Sequence, residues 1–371
     1  MEVTDFVNWS TTTFYFYLFI PFTCFFLSKL DFIVVANNHI DNNMTNNPKI
    51  GTFVASIILI CIKCFSITGR DVQGGYFKEF LFSNSFSSMT DNTVEFGFRL
   101  LNLLIYHLGE NYYLLIFICG LITVYPVVFF VYKYSNKLNV GLTFFMYATL
   151  FYIQGFSLMR LYMASSIALF SMDSLIHKKY KNSVIWLIIA SLFHRSVSIL
   201  FIVLILCLLK RARAWIITLV LSIFLFIFIY MHSFVVSFFS GRYEIYKTQT
   251  VTDVGLAIFI KYIPLFILLW YVSRYNLKYI KVSYYILILG FYVGILSYFI
   301  PIFGRMQGVF LPIIFIIGYC SRILKERAII TQKLIDLLFI IYGIVQLIVY
   351  IEAYYNFDDI MPYSSTLGFI I

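Results

Sequence analysis

Twelve apolar runs follow one another along this chain, and the turns between them hold most of its charge. They lie near 13–30, 50–66, 113–132, 140–154, 158–176, 183–194, 196–209, 214–232, 254–272, 283–300, 306–320 and 334–352. A membrane-crossing helix needs roughly 20 mainly apolar residues, with shorter ones tolerated. Of the 371 residues 61% are hydrophobic and only 12% charged, where a soluble domain carries about 25% charged residues. Too few polar groups remain to clothe a globule of this length in water. Backbone amides have no water to bond in hydrocarbon, so the runs must be helices. The expectation is a single all-α integral membrane domain over 1–371, a polytopic transmembrane helical bundle of about 12 membrane segments.

The charge is arranged to match. Basic residues gather in cytoplasmic loops. Seventeen of the 27 basic residues fall in alternate loops: Lys29 and Lys49; Lys133 and Lys137; Lys178, Lys179 and Lys181; Lys210, Arg211 and Arg213; Arg274, Lys278 and Lys281; and Arg322, Lys325, Arg327 and Lys333. Asp31, Asp41 and Glu326 are the acids that share them, whereas the complementary loops hold eight basic residues and twelve acids. The formal charge of +10 is thus a matter of topology and implies no nucleic-acid partner. Both flanks of 183–209 are basic, so this stretch must go out and return, with His194 and Arg195 at its outer turn. The same alternation places both termini outside. Neither a basic leader region nor a small-residue cleavage site precedes the first run.

Three segments are then expected on the extracytoplasmic side. The long loop 67–112 contains VEFGFRLLNLLIYHL over 94–108, too short and polar to span yet apolar along one side; Glu95 and Arg99 stand four apart in the favourable order for a helix. It reads as an amphipathic helix at the interface or packed over the bundle. A second loop, 233–253, carries Arg242, Tyr243, Glu244 and Lys247, and the last segment, 353–371, is acidic and aromatic.

Single cations stand in tight apolar turns of that same side: Arg160 in QGFSLMR, His194 and Arg195 in SLFHRS, and Arg305 in PIFGRMQG. Any one of them could snorkel to a headgroup. Several converging on one face suggest a bound anion, and a pyrophosphate suits guanidinium forks. Lys63, near a helix end, reads as snorkelling. Lys261, deeper in its run, either lines a polar cavity or reaches the interface. Asp173 reads as structural, and Asp336 as an acid favouring a helix N-terminus. The six cysteines lie within or at the end of apolar runs and form no disulfide framework; Cys61 and Cys64 read as small residues on one helix face, not a metal pair.

GxxxxGK[ST], HExxH, zinc-type cysteine–histidine spacing and GxSxG are all missing from the sequence. Any chemistry therefore needs a substrate that arrives activated, such as a lipid-pyrophosphate sugar.

Four segments resemble the EpsG-like and Wzy-type polymerases of bacterial surface polysaccharides. GRDVQGGY supplies Gly69, Asp71 and Tyr76. EFGFRLLNLLIYHLG is similar to an acid–glycine–aromatic run before a helix. FSLMRLYMASSIALFSMDSLIHKKYKNSVIWLIIASLFHRSVSIL supplies Arg160, Ala164, Lys178, Lys179, Ala190, Phe193, His194 and Ser196, and FGRMQGVFLP supplies Arg305 and Phe310. Leu161, where glutamine is frequent, and Arg195, at a variable place, depart from the pattern and leave the substrate type open. The resemblance covers roughly 65–320. It implies a multi-pass protein of the bacterial inner membrane, active at the periplasmic face, that polymerises undecaprenyl-pyrophosphate-linked oligosaccharide units into O-antigen or exopolysaccharide. A chain-length regulator protein is an expected partner beside the membrane lipids. The same resemblance implies that neither a metal nor a nucleotide cofactor is needed. In such a reaction Arg160, Arg305 and Arg242, with Arg195 and Tyr76, bind substrate, and His194 or Asp71 assists the acceptor hydroxyl. A transporter or flippase of lipid-linked sugars is the alternative; it predicts two related halves, and no internal repeat is visible.

Overall fold

A computed structural model describes residues 9–37, 50–85, 94–209, 214–237, 254–275, 280–327 and 329–371. Among these the chain is helical, apart from short loops and two isolated bridges in the C-terminal segment, Ser66 with Ser365 and Ser364 with Ile370. Thirteen helices of eight or more residues are α1 (Thr11–Asn37), α2 (Ile50–Cys64), α3 (Phe96–His107), α4 (Tyr112–Lys133), α5 (Val140–Tyr147), α6 (Met159–Ile176), α7 (Tyr180–Phe193), α8 (Leu200–Leu208), α9 (Ala214–Tyr230), α10 (Leu256–Ser273), α11 (Ile280–Phe299), α12 (Ile313–Arg327) and α13 (Ile329–Tyr354).

Among the described residues, length and apolarity by themselves identify fewer than the twelve spans expected. Four helices are long and apolar enough to cross a membrane: Thr11–Leu30 within α1, α4, α10 and α13. The pair Ile302–Phe310 and Ile313–Glu326, bent by 41°, makes a fifth if it is one span. Six further apolar helical stretches run to 10–17 residues. Two causes are visible. Some runs are interrupted, as where α5 passes into a π-helical turn at Ala148–Tyr152 and then a short helix at Gln154–Ser157. Others trade apolar residues for small polar ones at interfaces. α6 is the case in point: Ser166 donates to the Thr123 carbonyl of α4 at 2.6 Å, and Ser171 to the Ser183 carbonyl of α7 at 2.9 Å. Small residues let backbones approach, and their hydroxyls bond across the contact. α6 accordingly sits at the centre, clasped by α4 and α7.

The two ends of the bundle differ in chemistry. At one end Asp173, in the last turn of α6, takes Lys133 at 2.8 Å, the Tyr134 hydroxyl and His177 at 3.5 Å. This is the structural role expected of it. Arg160, in the first turn of α6, lies at the other end. α7 starts beside Ser171 and ends beside Arg160's cluster, where the Arg195 amide meets Glu95. α8 then returns, since the Leu209 carbonyl accepts from Lys281 at the start of α11. The chain does reverse at His194.

Two charged residues differ from expectation. Lys63 does not snorkel: it is 4% exposed, donates to the Gly155 carbonyl and lies 4.5 Å from the Phe156 ring. Its helix end faces the interior break after α5, and unpaired carbonyls there attract the ammonium. Asp336 is not at a helix start, because α13 begins seven residues earlier at Ile329. It is instead a buried acceptor for Ser321, Asn139 (2.9 Å) and Gln332.

Candidate functional site

The site is built on the break between α5 and α6. Leu158 (φ −88°, ψ 50°) ends the helical path, and α6 restarts at Met159. Lys63 holds the Gly155 carbonyl from one side of this break. Gly69 packs against it from another: its φ is +111°, and a Cβ there would stand 2.6 Å from the Phe156 oxygen. Only glycine allows both that conformation and that approach. The C-terminal segment fixes the same loop, with the Gly69 amide donating to the Asp359 carbonyl (3.1 Å) and the Arg70 amide to the Asp358 carbonyl (2.9 Å). The Arg70 and Asp359 side chains pair at 3.0 Å. Asp71 and Tyr76, the ends of a π-helical turn, are thereby held over the start of α6.

Arg160 is 7% exposed and makes an ion pair with Glu95 at 3.1 Å. Its guanidinium also lies 5.0 Å from the Tyr76 ring and 5.4 Å from the Phe98 ring. Its Nε has no hydrogen-bond partner among the described residues. Glu95 is 4% exposed and precedes α3 in extended conformation. Its second oxygen accepts the Arg195 amide at 3.3 Å. One carboxylate thus ties the start of α6 to the turn that carries His194. Burial pushes the Tyr76 phenol above its usual range, and the Arg160 guanidinium draws it partly back.

His194 is extended (φ −156°, ψ 121°), and its Nδ1 accepts the Ser196 amide at 3.2 Å. In the neutral ring that bond places the proton on Nε2. Arg305 ends the short helix Ile302–Arg305 and lies 5.4 Å from the Phe357 ring. Among the described residues it makes no ion pair.

Asp71, Tyr76, Arg160, His194 and Arg305 line one cavity of about 240 Å³, together with Glu79 and Ser196. Five of the residues singled out from sequence are therefore gathered. Arg195 is not among them: its side chain is exposed, and only its backbone reaches the cluster. Arg242 and most of the loop 233–253 lie outside the described residues. Glu79 and the bridging role of Glu95 were not foreseen, since local helix spacing pairs Glu95 with Arg99 while its partner Arg160 stands 65 residues away. Asp358 was hidden in a terminal segment that reads only as acidic and aromatic. It is buried beside the site and accepts the Tyr350 hydroxyl at 2.8 Å. Burial raises its carboxyl above the usual range, opposed by that bond and by Arg305.

The cluster offers Arg305, which makes no ion pair among the described residues, a histidine donor and a carboxylate at Asp71 within one pocket. Such a set can grip an anion and take a proton from a hydroxyl. A sequence model described as the EpsG family matches residues 49–365, which include every residue of the cavity. No curated protein and no solved structure matches the chain.

Proposed function

The chain belongs to the EpsG family, and from that premise we propose that it is a membrane polymerase that joins undecaprenyl-pyrophosphate-linked oligosaccharide units into O-antigen or a related surface polysaccharide. The single observation that carries the reading is the gathering of Asp71, Tyr76, Arg160, His194 and Arg305, from four separate segments, around one cavity. That cavity lies at the end of the bundle away from the lysines of the α4 and α6 termini. By the basic-loop rule this end faces the periplasm of a bacterial inner membrane.

In the proposed step, an acceptor sugar hydroxyl forms a bond to the anomeric carbon at the reducing end of the donor chain. The bond from that carbon to the diphosphate breaks, and its electron pair leaves with undecaprenyl diphosphate. Neither a metal nor a nucleotide takes part. Arg305 stabilises the charge growing on the leaving group, and such stabilisation is often the chief source of rate enhancement. Arg160, held by Glu95, contributes a fixed and preorganised cation. The hydroxyl proton passes to Asp71. His194 is the weaker base, because taking a proton at Nε2 requires the tautomer that gives up its bond from Ser196. It serves better as a donor to a sugar or phosphate oxygen. A chain-length regulator is the expected protein partner.

The test is surface polymer from a deletion strain complemented with variants. Arg305→Ala lowers polymerisation by roughly 10²–10³-fold, the usual loss for one oxyanion-stabilising donor, and leaves single-unit-capped lipopolysaccharide. Full-length ladders from both Arg160→Ala and Arg305→Ala would remove the diphosphate assignment. A strain with no repeat units at all points to the transporter alternative.

A further inference from the structure

Arg305 and Leu158 also line a second, larger cavity of about 370 Å³. It runs between α10 and α13, and its polar lining includes Lys261, Gln154, Gln346 and Asp358. Two features set it apart from the first. The first is charge. In the smaller cavity Asp71 and Glu79 face the cations, and Arg160 is already paired with Glu95. In the larger one Lys261 and Arg305 have no ion-pair partner among the described residues, and Lys261 meets only the Tyr262 ring, at 5.9 Å. Asp358, the carboxylate there, accepts the Tyr350 hydroxyl and is within electrostatic reach of Arg305, which leaves Lys261 as the cation without an acid among the described residues. An ammonium in a polar cavity of a membrane bundle without an acidic partner is a candidate ligand for an anion. The amides add donors: the Tyr162 hydroxyl holds the Gln154 Oε1 at 2.6 Å, which leaves the amide nitrogen to donate.

The second feature is access. α10 packs on α11 and α12, whereas α13 packs on α12, on α5 and on the π-helical turn after it. The Tyr342 hydroxyl reaches the Lys261 carbonyl at 2.9 Å and bridges the two helices deep in the gap. Nearer the Arg305 end, Ala257 and Val349 line the cavity from facing helices and are both exposed. The cavity therefore opens sideways. Lys261 stands five residues into α10, about 7.5 Å along the helix from its start at a rise of about 1.5 Å per residue.

We propose that this cavity is a second lipid-diphosphate site, entered sideways between α10 and α13, in which Lys261 and Arg305 hold the phosphates. It rests on the polymerase reading, because joining two lipid-linked units requires both headgroups to be seated at once. Arg305, common to both cavities, marks where they meet. A soluble diphosphate shares the headgroup chemistry but has no use for a sideways entrance.

The experiment uses the full chain in nanodiscs with radiolabelled undecaprenyl diphosphate. Lys261→Met is expected to weaken binding by about tenfold or more, the worth of one charge-assisted hydrogen bond, whereas Lys261→Arg keeps it. A photo-crosslinking residue at Val349 captures the lipid, and one at Phe129, exposed on α4, does not. Inorganic pyrophosphate competes only weakly. Equal binding by wild type and Lys261→Met overturns the proposal, as does equal capture at Val349 and Phe129. Full competition by pyrophosphate overturns the sideways route. Should Lys261→Met fail to fold, capture at Val349 in the otherwise native chain decides alone. Failure of wild type to bind the lipid removes the polymerase reading as well, whereas failure of the Lys261 and Val349 arms alone leaves that reading to the ladder assay.

Discussion

Arg160 and Glu95 are buried together at the centre of the site, so neither can be removed cheaply. A buried pair adds little over a well-packed apolar one, but breaking it leaves a bare charge in a low-dielectric interior. Glu95→Ala is expected to destabilise the protein by about 3–5 kcal/mol. Adding Arg160→Met to Glu95→Ala should recover much of that loss, because no unpaired charge remains. Thermal unfolding in detergent measures both; equal losses from the single and double variants would show that the pair does not set the cost. Arg160, His194 and Arg305 were legible in the sequence because lone cations in short apolar turns are costly and conspicuous. The counter-charge of Arg160 was not: Glu95 lies in an amphipathic run where Arg99 is the obvious neighbour.

At the scale of the element, α3 shows what periodicity can and cannot reveal. Its apolar character over 94–108 predicted an amphipathic helix, and Phe98, Asn102 and Ile105 do form its buried side. A second stripe, Phe96, Leu100, Leu104 and Leu108, is exposed. The position of α3 depends on Gly97, where a Cβ would stand 2.8 Å from the Leu192 carbonyl oxygen of α7. Gly97→Ala is expected to force the helices apart, costing about 1–3 kcal/mol as overpacking does, and to pull Glu95 away from Arg160. Lower melting temperature and weaker polymer ladders should appear together. Gly74→Ala is the control, since a Cβ there meets nothing within 4 Å; if it proves as damaging as Gly97→Ala, the close approach to α7 is not the cause. The reversal at His194 was legible from its basic flanks, and the break at Leu158 from the polar and small residues Gln154, Gly155 and Ser157, whereas the π-helical turn Ala148–Tyr152 was not, because it lies within one apolar run.

For the whole molecule the distribution of lysine and arginine predicts, by the basic-loop rule, that the site's end of the bundle faces outward. The site lies at the end of α6 opposite Asp173 and Lys133. An impermeant thiol reagent on intact cells should label Leu108→Cys but reach Lys179→Cys only after the membrane is breached, both in a background with Cys61 replaced by Ser. The opposite pattern would place the site in the cytosol and end the polymerase reading. Among the described residues, four helices have full spanning length and six apolar ones are shorter.

By itself the sequence determined the solvent and the class of structure, since 61% hydrophobic residues in helical-length runs can be buried only in a lipid bilayer. It also determined the reversal at His194 and the turns in which the site's cations stand, because lone charges and basic flanks are local features of the string. Tertiary structure alone decided which charges meet. Glu95 chose Arg160 over Arg99, Lys261 was left without an acid among the described residues, and α10 and α13 were parted by a gap. Those outcomes depend on how residues far apart in the chain pack, and no local spacing encodes the distance between two helices.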